Sequence, residues 1–205
     1  MLPKIYSLQI DSLIQLVREE FRVDSDGESL LPIIVVYSLY QCLTRETTRL
    51  ENKRLVARYT NKRWRQNPIG VIEVIGDNGE PIEVLVIRNR ETITRQMIQS
   101  TLRKSRRSPI RRYYFLTTAE PFVKQREQEN IQDIVQKMQI KYNCEIFIDG
   151  VLPTLKYYLR AISVPALFWQ KYCDNQKLVP LSALDPKKTH LKKWKSIMKQ
   201  IIASN

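Results

Sequence analysis

Two glutamates on either side of a predicted β-hairpin are the residues in this chain best suited to metal-dependent chemistry. Glu73 lies on the first strand of the hairpin, Glu83 lies on the second, and Arg88 follows near the end of the second strand. Carboxylates that converge from two strands can bind Mg²⁺, which prefers hard oxygen ligands. Such an ion polarises a phosphoryl group and activates water. Because side chains alternate along a strand, the sequence permits this convergence without requiring it.

The elements that would position these residues form an α/β pattern. Gly76-Asp77-Asn78-Gly79 separates the hairpin strands, and its Asn-Gly pair is typical of a two-residue turn with positive φ angles. The run Val84-Leu85-Val86-Ile87 is apolar on both faces, as in a covered central strand. The order of elements predicts a mixed central sheet flanked by helices. The predicted strands cover residues 55–59, 70–75, 80–89, 111–118 and 144–148, and the predicted helices cover 5–21, 30–50, 91 or 92 to 104, 123–142, 152–164, 166–173 and 191–203.

The predicted organisation is one domain with a terminal appendage. A chain of 205 residues with 43% hydrophobic residues can bury one substantial core. We expect this domain to cover residues 1–175, with the helix at 5–21 packed on it. Residues 176–205 are predicted to form a linker and a basic amphipathic helix. The far end of the helix at 30–50, which includes Arg49, is expected to be solvated, and Asp149-Gly150 is expected to turn the chain.

Several classes of protein are disfavoured by composition. The three cysteines, Cys42, Cys144 and Cys173, show no CxxC spacing, which argues against a zinc site or a disulfide framework. Cys42 and Cys144 lie in apolar runs and are expected to be buried. His190 is the sole histidine, which argues against Ser-His-Asp or Cys-His catalysis. The longest apolar run, Leu30–Tyr40, is too short to cross a bilayer. No signal peptide fits the start, so we expect a cytoplasmic protein with no membrane partner.

The charge balance points to a polyanionic partner. The chain has 34 Lys and Arg residues against 21 Asp and Glu residues, a formal net charge of +13. Neutralising phosphates releases counterions and favours binding to nucleic acid. The plainer alternative is that the excess charge only keeps the protein in solution. The candidate DNA contacts are Lys62, Arg63, Trp64 and Arg65 in a loop, Arg88 and Arg90 at a strand end, and Arg95, Lys104, Arg106, Arg107, Arg111 and Arg112 beyond it.

The loop at residues 60–68 allows two interpretations. Its cations suit phosphates, and Trp64 could stack on a base or wedge into a groove. An ordinary loop with Trp64 folded back onto the core accounts for the same residues equally well.

Four segments of the chain have distinctive sequences, and together they span most of it from Leu30 to about Arg160. They are Leu31–Tyr40, Gly70–Val74, Arg112–Thr118 and Cys144–Arg160. These segments resemble a group of type II restriction endonucleases that carry the PD-(D/E)xK motif. The resemblance implies a restriction-endonuclease-like fold and a Mg²⁺-dependent DNA endonuclease ancestry.

The chain departs from this family at the positions that hold the metal. Members of this family carry a pattern similar to Gly-Asp-Ile-Glu on the first strand, whereas this chain has Val71 in place of the Asp. On the second strand the family pattern is similar to Glu-Ala-x-Glu-x-Lys. This chain keeps the first Glu as Glu83 but has Val86 in place of the second Glu and Arg88 in place of the Lys. Arg cannot deprotonate, so Arg88 is a poor replacement for a tuned Lys. A His and an Asp usual in the preceding loop are replaced here by Tyr59 and Arg63.

Three functions follow as hypotheses. The first is a DNA-binding protein related to restriction endonucleases, with impaired or lost hydrolysis and no cofactor. Its expected partner is double-stranded DNA, and it could act as a homodimer or with a partner nuclease. The second is an active Mg²⁺-dependent endonuclease with displaced catalytic residues, namely Glu73, Glu83 and Arg88. The third is an assembly protein that retains only the fold and docks through the apolar face of the helix at Leu191–Ile202.

Overall fold

The structure is a computed structural model that describes residues 10–23, 30–57, 69–105, 110–163 and 165–178. The helices in these ranges are α1 (Ile10–Val23), α2 (Leu31–Glu46), α3 (Arg95–Lys104), α4 (Gln128–Tyr142), α5 (Val151–Ala161) and α6 (Pro165–Leu178), and a short 3-10 helix at Gln125–Glu127 precedes α4. The strands are β1 (Arg54–Ala57), β2 (Ile72–Ile75), β3 (Pro81–Arg88), β4 (Arg112–Thr117) and β5 (Glu145–Gly150).

The chain divides into two compact units. The helical unit comprises Met1–Thr47 and Leu152–Asn205, and its described elements are α1, α2, α6 and nearly all of α5. The sheet unit comprises Thr48–Val151 and contains the five strands with α3 and α4. In the described ranges, none of the helices combines the length and apolar character needed to cross a membrane.

The helical unit is built around α2, most of whose residues are buried. Pro32 lies in the first turn, where its missing N–H costs little. Polar side chains join α2 to α6, because the Asn175 amide donates to Ser38 Oγ and Gln41 Oε1, both at 2.8 Å. The Tyr172 hydroxyl donates to the buried Glu20 carboxylate. The Asn175 contacts pair buried polar groups of α6 and α2, and the Tyr172 contact links α6 to α1.

The sheet unit contains one mixed sheet in the order β1-β2-β3-β4-β5. The pairs β1–β2 and β2–β3 are antiparallel, whereas β3–β4 and β4–β5 are parallel. Parallel neighbours require crossover connections, and α3 and α4 supply them. The predicted mixed sheet flanked by helices is therefore confirmed at this level of description.

A hydrophobic core lies on the sheet face that carries Val84, Val86 and Phe115. Ile98 from α3 and Ile131 from α4 pack into the same cluster, so these two helices cover this face. Residues 84–87 of β3 are all buried, which confirms the prediction of a covered central strand.

The turn between β2 and β3 differs from the predicted two-residue turn. The Gly76 N–H donates to the Glu80 carbonyl at 2.8 Å, so the loop inside this closing pair has three residues, 77–79. Gly79 has a φ of 77°, whereas Asn78 does not have a positive φ. A single left-handed glycine at the end of a three-residue loop is common in β-hairpins. The pairing of β2 with β3 also shifts register between Val74 and Ile75, just before the turn.

Several element boundaries differ from the sequence predictions. Helix α2 ends at Glu46 and not near Leu50, because Thr47 has extended backbone angles. Its N–H and its hydroxyl both donate to the Leu43 carbonyl in the last turn of the helix. Helix α3 begins at Arg95 and not at 91 or 92, because the Ile93 N–H donates to the Phe122 carbonyl and Thr94 caps the helix.

The end of β5 and the end of α6 also differ from expectation. Asp149 and Gly150 do not turn the chain, since they pair with Leu116 and Thr117 as the end of β5. Residues 176–178 continue α6 and are not linker. The predicted helix at 191–203, the start of the helix at 5–21 and the loop at 60–68 lie wholly or largely outside the described residues. Cys42 and Cys144 are buried, as predicted.

We expect Gly70→Ala to destabilise the sheet unit. A Cβ at this position would lie 2.5 Å from the Leu85 carbonyl oxygen and 2.6 Å from Val84 Cγ1. Because Leu85 belongs to the central strand, the backbone has little room to move, and overpacking of this kind costs about 1–3 kcal/mol. Urea unfolding measures the loss.

The matched control for this prediction is Gly79→Asn. A Cβ at Gly79 meets no atom within 4 Å, and Asn tolerates the left-handed backbone at φ 77°. We expect this control to cost less than about 1 kcal/mol. Equal losses in the two variants would contradict the close approach of Gly70 to β3.

Candidate functional site

The positions that correspond to the metal site of the resembling family meet at one edge of the sheet. We call this side of the sheet the carboxyl edge, because it is formed by the C-terminal ends of the parallel strands β3, β4 and β5. Here Arg88 pairs with Thr117, and Thr117 pairs with Gly150. The start of β2 reaches the same place, because the Val71 N–H donates to the Leu85 carbonyl at 2.9 Å. Val71, Val86 and Arg88 are therefore neighbours in space as well as in the motif.

The two valines at this edge offer only apolar side chains. Val86 is 6% exposed and belongs to the hydrophobic core beneath α3 and α4. Val71 is partly buried just before β2. Neither side chain can offer an oxygen to a hard cation, so the residues at these positions do not fit Mg²⁺.

The Glu73 side chain lies on the face of the sheet that carries the hydrophobic core, where it accepts hydrogen bonds from backbone N–H groups. It is fully buried and pairs across the strands with Val84. Its Oε1 accepts hydrogen bonds from the Ile69 N–H at 2.9 Å and from the Gly70 N–H at 3.5 Å. Hydrogen bonds to a carboxylate are stronger than neutral ones. The side chain thus holds the segment that leads into β2.

Glu83 stands on the other face of the sheet. It pairs with Val74, one residue along from the pair between Glu73 and Val84, so the two glutamates point in opposite directions. The Glu83 side chain is 4% exposed and forms an ion pair with Arg49. Arg49 was expected to be solvated, and this pairing corrects that prediction.

The site hypothesised from Glu73, Glu83 and Arg88 is therefore not assembled. The two carboxylates cannot converge on one ion across a sheet that separates them. In the described part of the chain, no group of three or more His, Cys, Asp or Glu side chains is placed to hold a metal ion.

The carboxyl edge instead presents two arginines on a braced backbone. The Arg88 side chain is 45% exposed, with Glu91 Oε2 3.9 Å from its Nε. Arg90 adopts a left-handed φ of 58°, and its N–H donates to Thr118 Oγ1 at 2.8 Å. The Thr118 hydroxyl donates to Asn89 Oδ1 at 2.7 Å. Unusual backbone angles held by several bonds are typical of functional sites.

Of the other predicted DNA contacts that the structure describes, Arg95 lies on the carboxyl-edge side and the rest lie elsewhere. Arg95 is the first residue of α3, and its N–H donates to Glu127 Oε2 at 2.7 Å. Lys104 and Arg111 lie at the opposite edge, where α3 ends and β4 begins. Arg112 also lies there, and its Nε is 2.5 Å from Glu145 Oε2. The remaining candidates, Lys62, Arg63, Trp64, Arg65, Arg106 and Arg107, lie outside the described residues.

Sequence reasoning did not identify the residues that brace the carboxyl edge. The Thr117 hydroxyl donates to the Glu91 carbonyl at 2.6 Å and accepts from the Ala119 N–H at 2.9 Å. The available signal was the Thr117-Thr118 pair at the end of an apolar strand, because hydroxyls at such a place commonly bond to a nearby turn.

Comparison with known proteins adds no family assignment. A scan against models of protein families gives no match to this chain, and a search of curated proteins gives none either.

A pair of substitutions tests whether Glu73 is structural. Glu73→Ala should lower the free energy of unfolding by about 2–4 kcal/mol, because it leaves two buried backbone donors without their acceptor. Glu73→Gln keeps an acceptor oxygen in place, so we expect a change below about 1 kcal/mol. Urea denaturation distinguishes the two, and a Gln variant as damaged as the Ala variant would contradict the assignment.

Proposed function

We propose that this chain is a DNA-binding protein with a fold related to type II restriction endonucleases, and that it has lost phosphodiester hydrolysis. The observation that carries the proposal is the set of side chains at the carboxyl edge. Positions where the resembling family has two acids and a lysine here have Val71, Val86 and Arg88, and these positions are adjacent. The mixed order of antiparallel and parallel strands also agrees with the resemblance.

Electrostatics favours phosphate at an edge built in this way. A carboxylate about 5 Å from a phosphate repels it by roughly 1–3 kcal/mol when the effective dielectric constant lies between about 80 and 20. Replacing two such acids with valine removes this repulsion. Arg88 adds a permanent cation with a planar group of donors that suits phosphate oxygens. The edge therefore gains affinity for a polyanion by the same substitutions that remove the metal ligands.

Duplex DNA is the partner that fits the charge of the whole chain. The net charge of +13 gives a long-range attraction to any polyphosphate. Arg88, Arg90 and Arg95 lie on the carboxyl-edge side, where they can follow a phosphate backbone. A homodimer or a partner nuclease would extend this surface, and both remain part of the proposal.

The alternative of an active nuclease with displaced ligands has less support. It needs Glu73 and Glu83 to act on one ion, and the β2–β3 register sends them to opposite faces. The alternative of an assembly protein depends on the helix at 191–202, which lies outside the described residues.

The salt dependence of DNA binding tests the proposal. We expect a mixed-sequence duplex to shift in a gel with an affinity that falls steeply as salt rises, because phosphate contacts release counterions. Arg88→Ala should reduce the slope of log K against log salt by about 0.9, the value for one lost phosphate contact.

The matched control for this experiment is Arg54→Ala. Arg54 is an exposed arginine on β1, the outermost strand on the side of the sheet away from β5. Its replacement by Ala removes one positive charge, as Arg88→Ala does. We expect the slope of this variant to stay close to that of the unaltered chain. Absence of any shift at low salt would overturn the proposal, and equal slopes for the two variants would remove Arg88 from the contact surface.

A further inference from the structure

A recess in the sheet unit lies at the end of the strands opposite the carboxyl edge. It is a groove of about 1010 Å³ between the last turns of α3 and α4, beside the starts of β4 and β5. This volume lies at the upper end of the range for small-molecule sites. The groove uses none of the residues at the Val71, Val86 and Arg88 positions.

The floor of the groove is apolar and uncharged. Leu102, Ile110 and Met138 contribute aliphatic and sulfur surface. Burial raises the pKa of the Cys144 thiol to about 11, so this side chain stays protonated and behaves as a small apolar group. Burial raises the pKa of Tyr113 to about 12, and its hydroxyl is hydrogen-bonded to Ser105. A flat apolar ligand group would meet no buried charge here.

The rim of the groove carries cations. Arg103 and Arg111 both line it, and among the described residues neither forms an ion pair with an acid. Two helix ends also meet the groove, since Ser105 caps α3 and Asn143 caps α4. Each helix C-terminus contributes roughly half a negative charge. Two full positive charges outweigh these two half charges, so the groove favours an anion.

An aromatic ring and two amides complete the lining. Tyr142 is 59% exposed, and the Lys141 Nζ lies 5.3 Å from the centroid of its ring. Gln99 and Asn143 place amide groups on the same lining. Exposed aromatic rings among cations are typical of sites where a nucleobase stacks.

We propose that this groove binds one nucleotide, with the base against Tyr142 and the apolar floor and the phosphate held by Arg103 and Arg111. The same chemistry is offered by a free nucleotide and by a nucleotide unstacked from a DNA strand. The proposal goes beyond duplex binding at the carboxyl edge and does not depend on it.

The first test is calorimetric titration of the full chain with dAMP and with deoxyadenosine. We expect saturable binding of dAMP and at least about tenfold weaker binding of the nucleoside, because charge-assisted bonds to the phosphate are lost. In the double variant Arg103→Ala/Arg111→Ala, the two ligands should bind with nearly equal, weak affinity. Arg54→Ala, which removes an exposed arginine elsewhere on the same sheet, should retain the preference for dAMP.

The second test addresses stacking. Tyr142→Ala should weaken dAMP binding roughly 5- to 150-fold, the range for losing a base–aromatic contact. Tyr142→Phe retains the ring and should bind within about twofold of the unaltered chain. Since Tyr142 is largely exposed, both variants should fold, and circular dichroism checks this.

The same titration with a five-nucleotide single strand identifies the source of the nucleotide. Binding of dAMP supports a free-nucleotide site, and binding of the strand alone, lost in Tyr142→Ala, supports an unstacked nucleotide of DNA. Failure of both to bind at millimolar concentration overturns the proposal, as does binding that Arg54→Ala weakens as much as Arg103→Ala/Arg111→Ala. A failed duplex gel shift alongside dAMP binding would overturn only the proposed function.

Discussion

The pairing register between β2 and β3 is the constraint on which the rest of this structure depends. Glu73 pairs with Val84 and Val74 pairs with Glu83, so two glutamates only ten positions apart lie on opposite faces of one sheet. A shift by one residue would move every side chain of β2 to the other face. Residues 72–75 are buried on both faces of the sheet, so burial alone does not distinguish the two arrangements. Such a shift would carry the Glu73 carboxylate away from the Ile69 and Gly70 N–H groups that it accepts from, so these bonds support the observed register, and the register separates the carboxylates.

Both surviving acids contribute to the fold. Glu73 accepts backbone hydrogen bonds that hold the chain as it approaches β2, and Glu83 is paired with Arg49. At the carboxyl edge, Val86 extends the core beneath α3 and α4. Active sites commonly give up stability for function. In this chain Val86, which corresponds to a metal-ligand position of the resembling family, contributes packing, while the Arg88 side chain beside it is 45% exposed.

Much of the fold could be predicted from the sequence, because periodicity reports local structure directly. The five strands, the covered β3 and the buried Cys42 and Cys144 follow from apolar patterning. The site could not be predicted in the same way. Which face a side chain occupies depends on the pairing of strands, and Glu83 pairs with an arginine 34 positions away in the chain. Helix α2 ends where Thr47 adopts extended backbone angles, a change that the spacing of the apolar residues does not mark.

Our central claim is that the carboxyl edge binds the phosphates of DNA without hydrolysing the phosphodiester bonds. The most direct measurement incubates supercoiled plasmid with saturating protein in EDTA, in Mg²⁺ and in Mn²⁺, and follows binding and strand breaks in the same samples. We expect equal binding in all three and a plasmid that stays supercoiled. Discrete fragments that form only with metal, and that disappear in a Glu73→Gln variant shown to be folded by its urea denaturation, would contradict the claim.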